Sequence, residues 1–167
     1  MKLRVRLSHP SARDAAEFLA AVRRSHRLHG RWVAAPATAA AYRKYLARAR
    51  RATQAAYLIR LRGSSELVGV VNVSEIVRGN FHSAYLGYYA FAPHHGQGLM
   101  AEGLRLVIGD AFHRLKLHRL EANVQPGNRA SVALVRGLGF RREGYSPRYL
   151  RIAGRWRDHE RWAITKD

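Results

Sequence analysis

Cysteine is absent from the 167-residue chain. That excludes disulfides, thiolate nucleophiles and cysteine-based zinc sites together, and it fits a reducing compartment. Lysine is confined to Lys2, Lys44, Lys116 and Lys166, and acids are scarce, with 11 Asp and Glu against 30 Lys and Arg. Arginine therefore carries almost all of a net charge of +19. Such a surface suits polyanions: nucleic acid, a ribosome or a phosphorylated cofactor. The charge is spread along the chain and not gathered in a tail, which an arginine-rich composition without a dedicated role also produces. No apolar run is long enough to cross a bilayer. The opening MKLRVRLSHP alternates charged and apolar residues and has no signal-peptide core. The expectation is a soluble, cytoplasmic protein that does not enter membranes. The nine histidines show no H-E-x-x-H or similar spacing, so no metal is expected. An RNP-like aromatic pair, a G-x-x-G loop and a basic tail are missing too, which counts against a purely RNA-binding module.

A hydrophobic content of 47% is enough for the core of one domain spanning 1–167. Leu3–Leu7 alternates with period two and reads as a strand. Ser11 opens a helix running through Phe18, Leu19 and Val22. A loop bracketed by Gly30 and Pro36 follows, and Thr38 caps a second helix carrying Tyr42, Tyr45 and Leu46. Ala55–Leu61, Leu67–Ile76 and His82–Ala92 read as three strands joined by turns at Gly63–Glu66 and Arg78–Asn80. Beyond Pro93 a glycine-bearing turn runs into a long amphipathic helix. His118–Val124 is a strand, Asn128 caps a helix that stops at Gly139, and two last strands turn at Ala153–Gly154. The order β-α-α-β-β-β-α-β-α-β-β describes a mixed α/β domain.

Two segments carry chemistry. His95-Gly-Gln-Gly-Leu-Met100 lies between a strand and a helix, where glycine permits a sharp turn and the helix start offers unpaired N–H groups. That combination is an anion site, although G-x-G before a helix is also a common packing turn. In Asn128-Arg-Ala-Ser131, Asn128 and Ser131 share one face of a helix start. Each could equally be an ordinary capping or first-turn residue.

The order and spacing of these segments resemble the GNAT superfamily, whose signature Q/R-x-x-G-x-G/A aligns with His95–Met100. His95 and Met100 depart from it, while the central Gly98 is kept. YLGYYAF, GQGLMAEGLR, HRLEANVQPGNRAS, GLGFRREGY and GRWRDH are similar to the RimJ/RimL branch, the ribosomal-protein-alanine N-acetyltransferases. The resemblance covers roughly Leu3 to Thr165. It implies a mostly antiparallel sheet with two splayed strands and flanking helices.

It also implies acetyl-CoA as cosubstrate. The pantetheine arm would lie along Tyr88, Tyr89, Ala90 and Phe91, and the pyrophosphate on His95, Gly96, Gln97, Gly98, Leu99, Met100 and Ala101. Asn128 would hold the pantetheine or the incoming amine. The implied reaction is direct attack of a neutral amine on the thioester through a tetrahedral intermediate. A backbone N–H near Ala90 would receive the developing charge. Ser131 is the expected proton donor to the leaving thiolate, because Val135 stands where many members carry a tyrosine. Glu75 and Glu121 are the carboxylates available as base, with Glu121 expected to pair with an arginine instead. The loop holding Ser25, His26, His29 and Trp32, together with Tyr149 and Trp156 on the last hairpin, would wall the amine site. His118 and His159 read as structural.

The expected partners are acetyl-CoA and a protein N-terminus, with ribosomal RNA contact through the basic surface. A small amine (antibiotic, polyamine or amino acid) is the alternative substrate. Monomer and dimer both stay open.

Overall fold

A computed structural model describes residues 3–166. Seven strands form one sheet in the order β1-β2-β3-β4-β5-β7-β6. They are β1 (Val5–Ser8), β2 (Ala55–Leu61), β3 (Leu67–Val77), β4 (Ser83–Ala90), β5 (Arg119–Val124), β6 (Arg141–Ile152) and β7 (Arg155–Thr165). Every neighbouring pair is antiparallel except β4 and β5. The helices are α1 (Ala15–Arg24), α2 (His26–His29), α3 (Ala39–Ala49), α4 (Leu99–His113) and α5 (Arg129–Gly137). This is the mixed, mostly antiparallel architecture expected from the sequence.

The apolar patterning decides which helix packs where. Along β2, Ala56 and Leu58 point into a cluster with Phe18, Val22, Tyr42 and Leu46 of α1 and α3. Tyr57 and Ile59 point the other way, into a cluster with Leu104, Val107, Ile108 and Val135 of α4 and α5. Successive strand residues face opposite sides, so one seven-residue strand anchors both helical layers. Thr38 caps α3 as expected, its Oγ1 accepting from Ala41 N–H at 3.1 Å.

Buried Arg60 ties α1 to this sheet. It donates to Asp14 at 2.7 Å, to Glu17 at 2.9 Å and to the Ser65 carbonyl at 2.7 Å. Truncating a buried ion-pair member strands the remaining charges, so this network fixes the position of α1 more than it adds stability.

Three local features differ from the sequence reading. The segment after α1 contains the one-turn helix α2, closed by Gly30 at φ +47°. A leucine-poor, histidine-rich turn of four residues carries too little periodicity to reveal it. β4 stops at Ala90, two residues early, where the chain turns toward Pro93. β3 contains a bulge between Ser74 and Val77, with Glu75 at φ +50°. A bulge bends a strand and re-aims its side chains. Among the described residues no helix is long and apolar enough to cross a membrane.

Candidate active site

The parallel pairing of β4 and β5 covers only Ser83–Leu86 against Arg119–Ala122. Beyond Leu86 and Ala122 the two strands part, opening a gap in the middle of the sheet. Phe91 N–H donates to Val68 on β3 at 2.7 Å. Alternation therefore turns the peptide groups of Ala90 and Tyr88 away from β3, toward the gap. The Ala90 carbonyl accepts from His29 Nε2 at 2.8 Å, which leaves the Ala90 N–H and the Tyr88 N–H and C=O as an unpaired edge. Such an edge can bind an amide-containing arm.

Two cavities open from this gap. One, of about 550 Å³, runs past Tyr88, Tyr89, Ala90, His95, Gly96, Gly98, Met100 and Ala101 to the start of α5. Gly96 and Gly98 have φ of +74° and +75°, which L side chains rarely adopt. The first bond of α4 is Glu102 N–H to the Gly98 carbonyl at 3.2 Å. The N–H groups of Leu99, Met100 and Ala101 thus precede any intrahelical acceptor and point at the loop. Glu102, an acid in this first turn, would oppose an anion. Arg4 offsets it, donating to Glu102 from its backbone N–H at 3.0 Å and from Nε at 2.5 Å, and to the Gln97 carbonyl at 3.1 Å. Arg4 was not singled out from sequence, because nothing local links residue 4 to residue 102.

The other cavity, of about 540 Å³, is lined by Asn72, Glu75, Tyr85, Asn123, Gln125, Tyr149 and His159, among others. Trp32, Val33, Tyr88, Tyr89, Asn128 and Ser131 line both cavities. At this junction the Tyr88 hydroxyl lies 2.6 Å from Ser131 Oγ, and Asn128 Oδ1 caps α5 by accepting from Ser131 N–H at 3.2 Å. Burial pushes the Tyr88 phenol up to about 12, against the opposing effect of its bond to Ser131. Tyr88 is therefore a protonated acid in direct contact with Ser131. The sequence marked Tyr88 only for its backbone.

Other expected site residues fall elsewhere. Phe91 is fully buried between α1 and α3, its N–H committed to β3, so it offers the gap nothing. Leu99 turns into the core, while Gln97 is exposed and donates to the Pro93 carbonyl. For both residues only the backbone is in reach of the loop. His29 was expected on the amine side, yet it lines the first cavity and braces Ala90. Burial lowers its pKa, which its bond to the Ala90 carbonyl partly opposes. Ser25 is buried, its Oγ accepting from Ala92 N–H at 2.9 Å, and it ties α1 to the end of β4.

Trp32 and Tyr149 do line the second cavity, whereas Trp156 is exposed. Glu121 is paired with Arg119 at 2.9 Å. Glu75 is exposed on the bulge, where Gln54 reaches it at 3.4 Å. Among the described residues Glu75 is the one acid on either cavity wall, and neither wall holds an arginine or lysine. No group of three or more His, Asp or Glu that could hold a metal occurs among the described residues.

A family model for the acetyltransferase (GNAT) domain matches residues 4–141. The chain belongs to the GNAT acetyltransferase family. It is 45% identical over 100 residues to the Escherichia coli [ribosomal protein uS5]-alanine N-acetyltransferase, covering 60% of this chain and 52% of that protein. It is 43% identical over 98 residues to the probable N-acetyltransferase YjcK of Bacillus subtilis, covering 59% of this chain and 54% of that protein. The chain thus spans about half the length of these two relatives. The structure of Mycobacterium smegmatis RimJ in complex with CoA-disulfide matches with a TM-score of 0.87 and 30% identity, over 96% of this chain and 81% of that one.

Proposed function

We propose that this GNAT protein transfers the acetyl group of acetyl-CoA to the α-amine of a protein N-terminus. The observation that carries the reading is the meeting of two cavities at Tyr88, Asn128 and Ser131, in a gap between two parted strands. The residues present fit the cosubstrate. A positive-φ glycine loop and the free N–H groups of α4 suit a pyrophosphate, and the unpaired edge of Tyr88–Ala90 suits the amides of a pantetheine arm. The Mycobacterium smegmatis RimJ neighbour, a complex with CoA-disulfide, supports CoA as the ligand class. The Escherichia coli relative's name supports a ribosomal-protein alanine as acceptor.

Acetyl-CoA, when bound, supplies a thioester carbonyl to be attacked and a thiolate to depart. The chain's own groups do the rest. The Ala90 N–H, in the peptide group held by the pairing of Tyr89 with Val70 on β3, faces the charge that builds on the carbonyl oxygen. Ser131 Oγ–H donates toward the departing sulfur, and the Tyr88 phenol refills Ser131 through their 2.6 Å contact. Glu75 gives the amine-side wall its single negative charge in a molecule of net +19. It draws in one cationic amine, and it is too exposed and too weakly held to act as a buried base. A polyamine would need several such carboxylates.

The acceptor is tested by rate. An α-amine with a pKa of about 7.7–8.0 is far more often neutral at pH 7.5 than a lysine near 10.4, by about 200- to 300-fold. The expected result is kcat/KM at least about tenfold higher for an Ala-initiated peptide than for an Nα-blocked lysine peptide. Efficient turnover of spermidine or an aminoglycoside, with none on the peptide, would move the acceptor to small amines.

A further inference from the structure

Two polar atoms on the amine-side wall are left over from the scheme above. Asn123 Oδ1 is buried without a hydrogen-bond partner among the described residues although its residue lines the cavity. Buried acceptors in native proteins are nearly always satisfied, and an exception in a cavity wall marks a place for a ligand donor. The second atom belongs to His159, which is 3% exposed and lines the same cavity. Its Nδ1 lies 2.9 Å from the Arg157 carbonyl. A carbonyl can only accept, so Nδ1 carries the hydrogen and the neutral ring keeps its lone pair on Nε2. Nε2 has no hydrogen-bond partner among the described residues. The ring is further oriented by Tyr149, edge-on with centroids 6.4 Å apart. Asn123 pairs with Arg161 across β5 and β7, and His159, two residues before Arg161, shares that face of the sheet.

We propose that His159 is the general base of the amine site, with Asn123 Oδ1 accepting an N–H of the incoming amine. This rests on the acetyl-transfer reading above. As the amine nitrogen bonds to the acetyl carbon, one N–H proton passes to Nε2. The C–S bond then breaks, and the sulfur takes a proton from Ser131 Oγ, which Tyr88 replaces. His159 releases its proton to solvent and Tyr88 regains one, so the net products are an amide and a free thiol.

The charges around the ring are consistent with this role. Arg157 and Asp158 flank it on β7, Asp158 being held by the Tyr145 hydroxyl and the Arg148 N–H of β6. Arg161 follows two residues along the same face of β7. β6 also contributes Tyr149, β4 Tyr85 and β3 Glu75. β5 contributes Asn123 with Glu121, paired to Arg119, two residues away on that face, and Gln125 lies just beyond its end. Burial lowers the imidazole pKa, opposed by the Arg157 carbonyl bond and by Asp158, which keeps the ring neutral and accepting near pH 7.

The test is the pH profile of kcat on an Ala-initiated peptide for wild type, His159→Ala and His159→Gln. Glutamine keeps a polar side chain of similar bulk where alanine leaves a void, yet it cannot take a proton. Both variants are expected to lose about 100-fold in kcat, the weak end for general-base loss because an α-amine is already partly neutral. The wild-type profile should steepen at the acid end, because attack needs both a neutral amine and a neutral ring, whereas the variants should follow the α-amine ionisation alone. The acetyl-CoA dissociation constant should stay within about twofold of wild type. A His159→Gln kcat within about threefold of wild type, or an acid limb as steep as that of wild type, would overturn the assignment and leave His159 a packing residue. No turnover by wild type on any amine would instead overturn the acetyl-transfer reading, and this proposal with it.

Discussion

Gly98→Val should weaken CoA binding by about a thousandfold in calorimetry while the protein still folds. The loop offers its ligand backbone N–H groups at the start of α4, not side chains. Losing two charge-assisted hydrogen bonds, at about 1.5–3 kcal/mol each, corresponds to a factor on the order of 10² to 10⁴. Gly98 sits at φ +75°, and a Cβ there would meet only the flexible Arg4 guanidinium, at 3.4 Å. The strain of an L residue in that region is about 1–2 kcal/mol, a drop of roughly 3–8 °C in Tm for a chain of this size. Gly96→Ala separates strain from blockage. It carries the same backbone penalty at φ +74°, but no atom lies within 4 Å of its added Cβ. An unchanged CoA affinity in Gly98→Val would remove the pyrophosphate from this loop.

The second large effect is expected at the cavity junction. Ser131→Ala should lower kcat by about 300-fold and Tyr88→Phe by about 100-fold, within the range for loss of a general acid. Neither should alter acetyl-CoA affinity much. The double variant should be scarcely worse than Ser131→Ala alone, because a relay fails as a unit. Additive losses would separate the two hydroxyls into independent roles.

The pH behaviour of Tyr88 follows from its environment. Its pKa is raised to about 12 from an ordinary 10, so the folded state favours the protonated phenol. That contribution to stability is complete below about pH 10 and is lost as pH rises through about 12. Throughout the neutral range Tyr88 keeps its proton and can donate it.

Most of the frame is legible in the amino-acid sequence. Strand-like runs and turn signals marked all seven strands, and Thr38 and Asn128 declared their helices through capping chemistry. The glycine loop was legible because positive φ leaves a compositional trace at Gly96 and Gly98. What escaped depends on contacts between distant segments. Tyr88 meets Ser131 across 43 residues, and no local pattern tells that β4 parts from β5 there. Arg4 reaches Glu102 across 98 residues. The bulge that sets Glu75 at an exposed rim of the cavity wall lay hidden too, since bulges in a Val-rich strand have no sequence marker without glycine. His159 read as structural because its partner is a backbone carbonyl, which sequence cannot show, and because the cavity it faces is built from five strands and loops.

The central claim is that a CoA-side cavity and an amine-side cavity meet at Tyr88 and Ser131, so that an N-terminal amine reaches the thioester there. A conjugate joining the α-amine of an Ala-initiated peptide to the CoA sulfur through an acetyl bridge tests it in one titration. If both halves sit in their cavities at once, the second binds at an effective concentration in the millimolar range or above, and calorimetry should show affinity at least about 100-fold tighter than for CoA alone. A conjugate no tighter than CoA would contradict the shared junction.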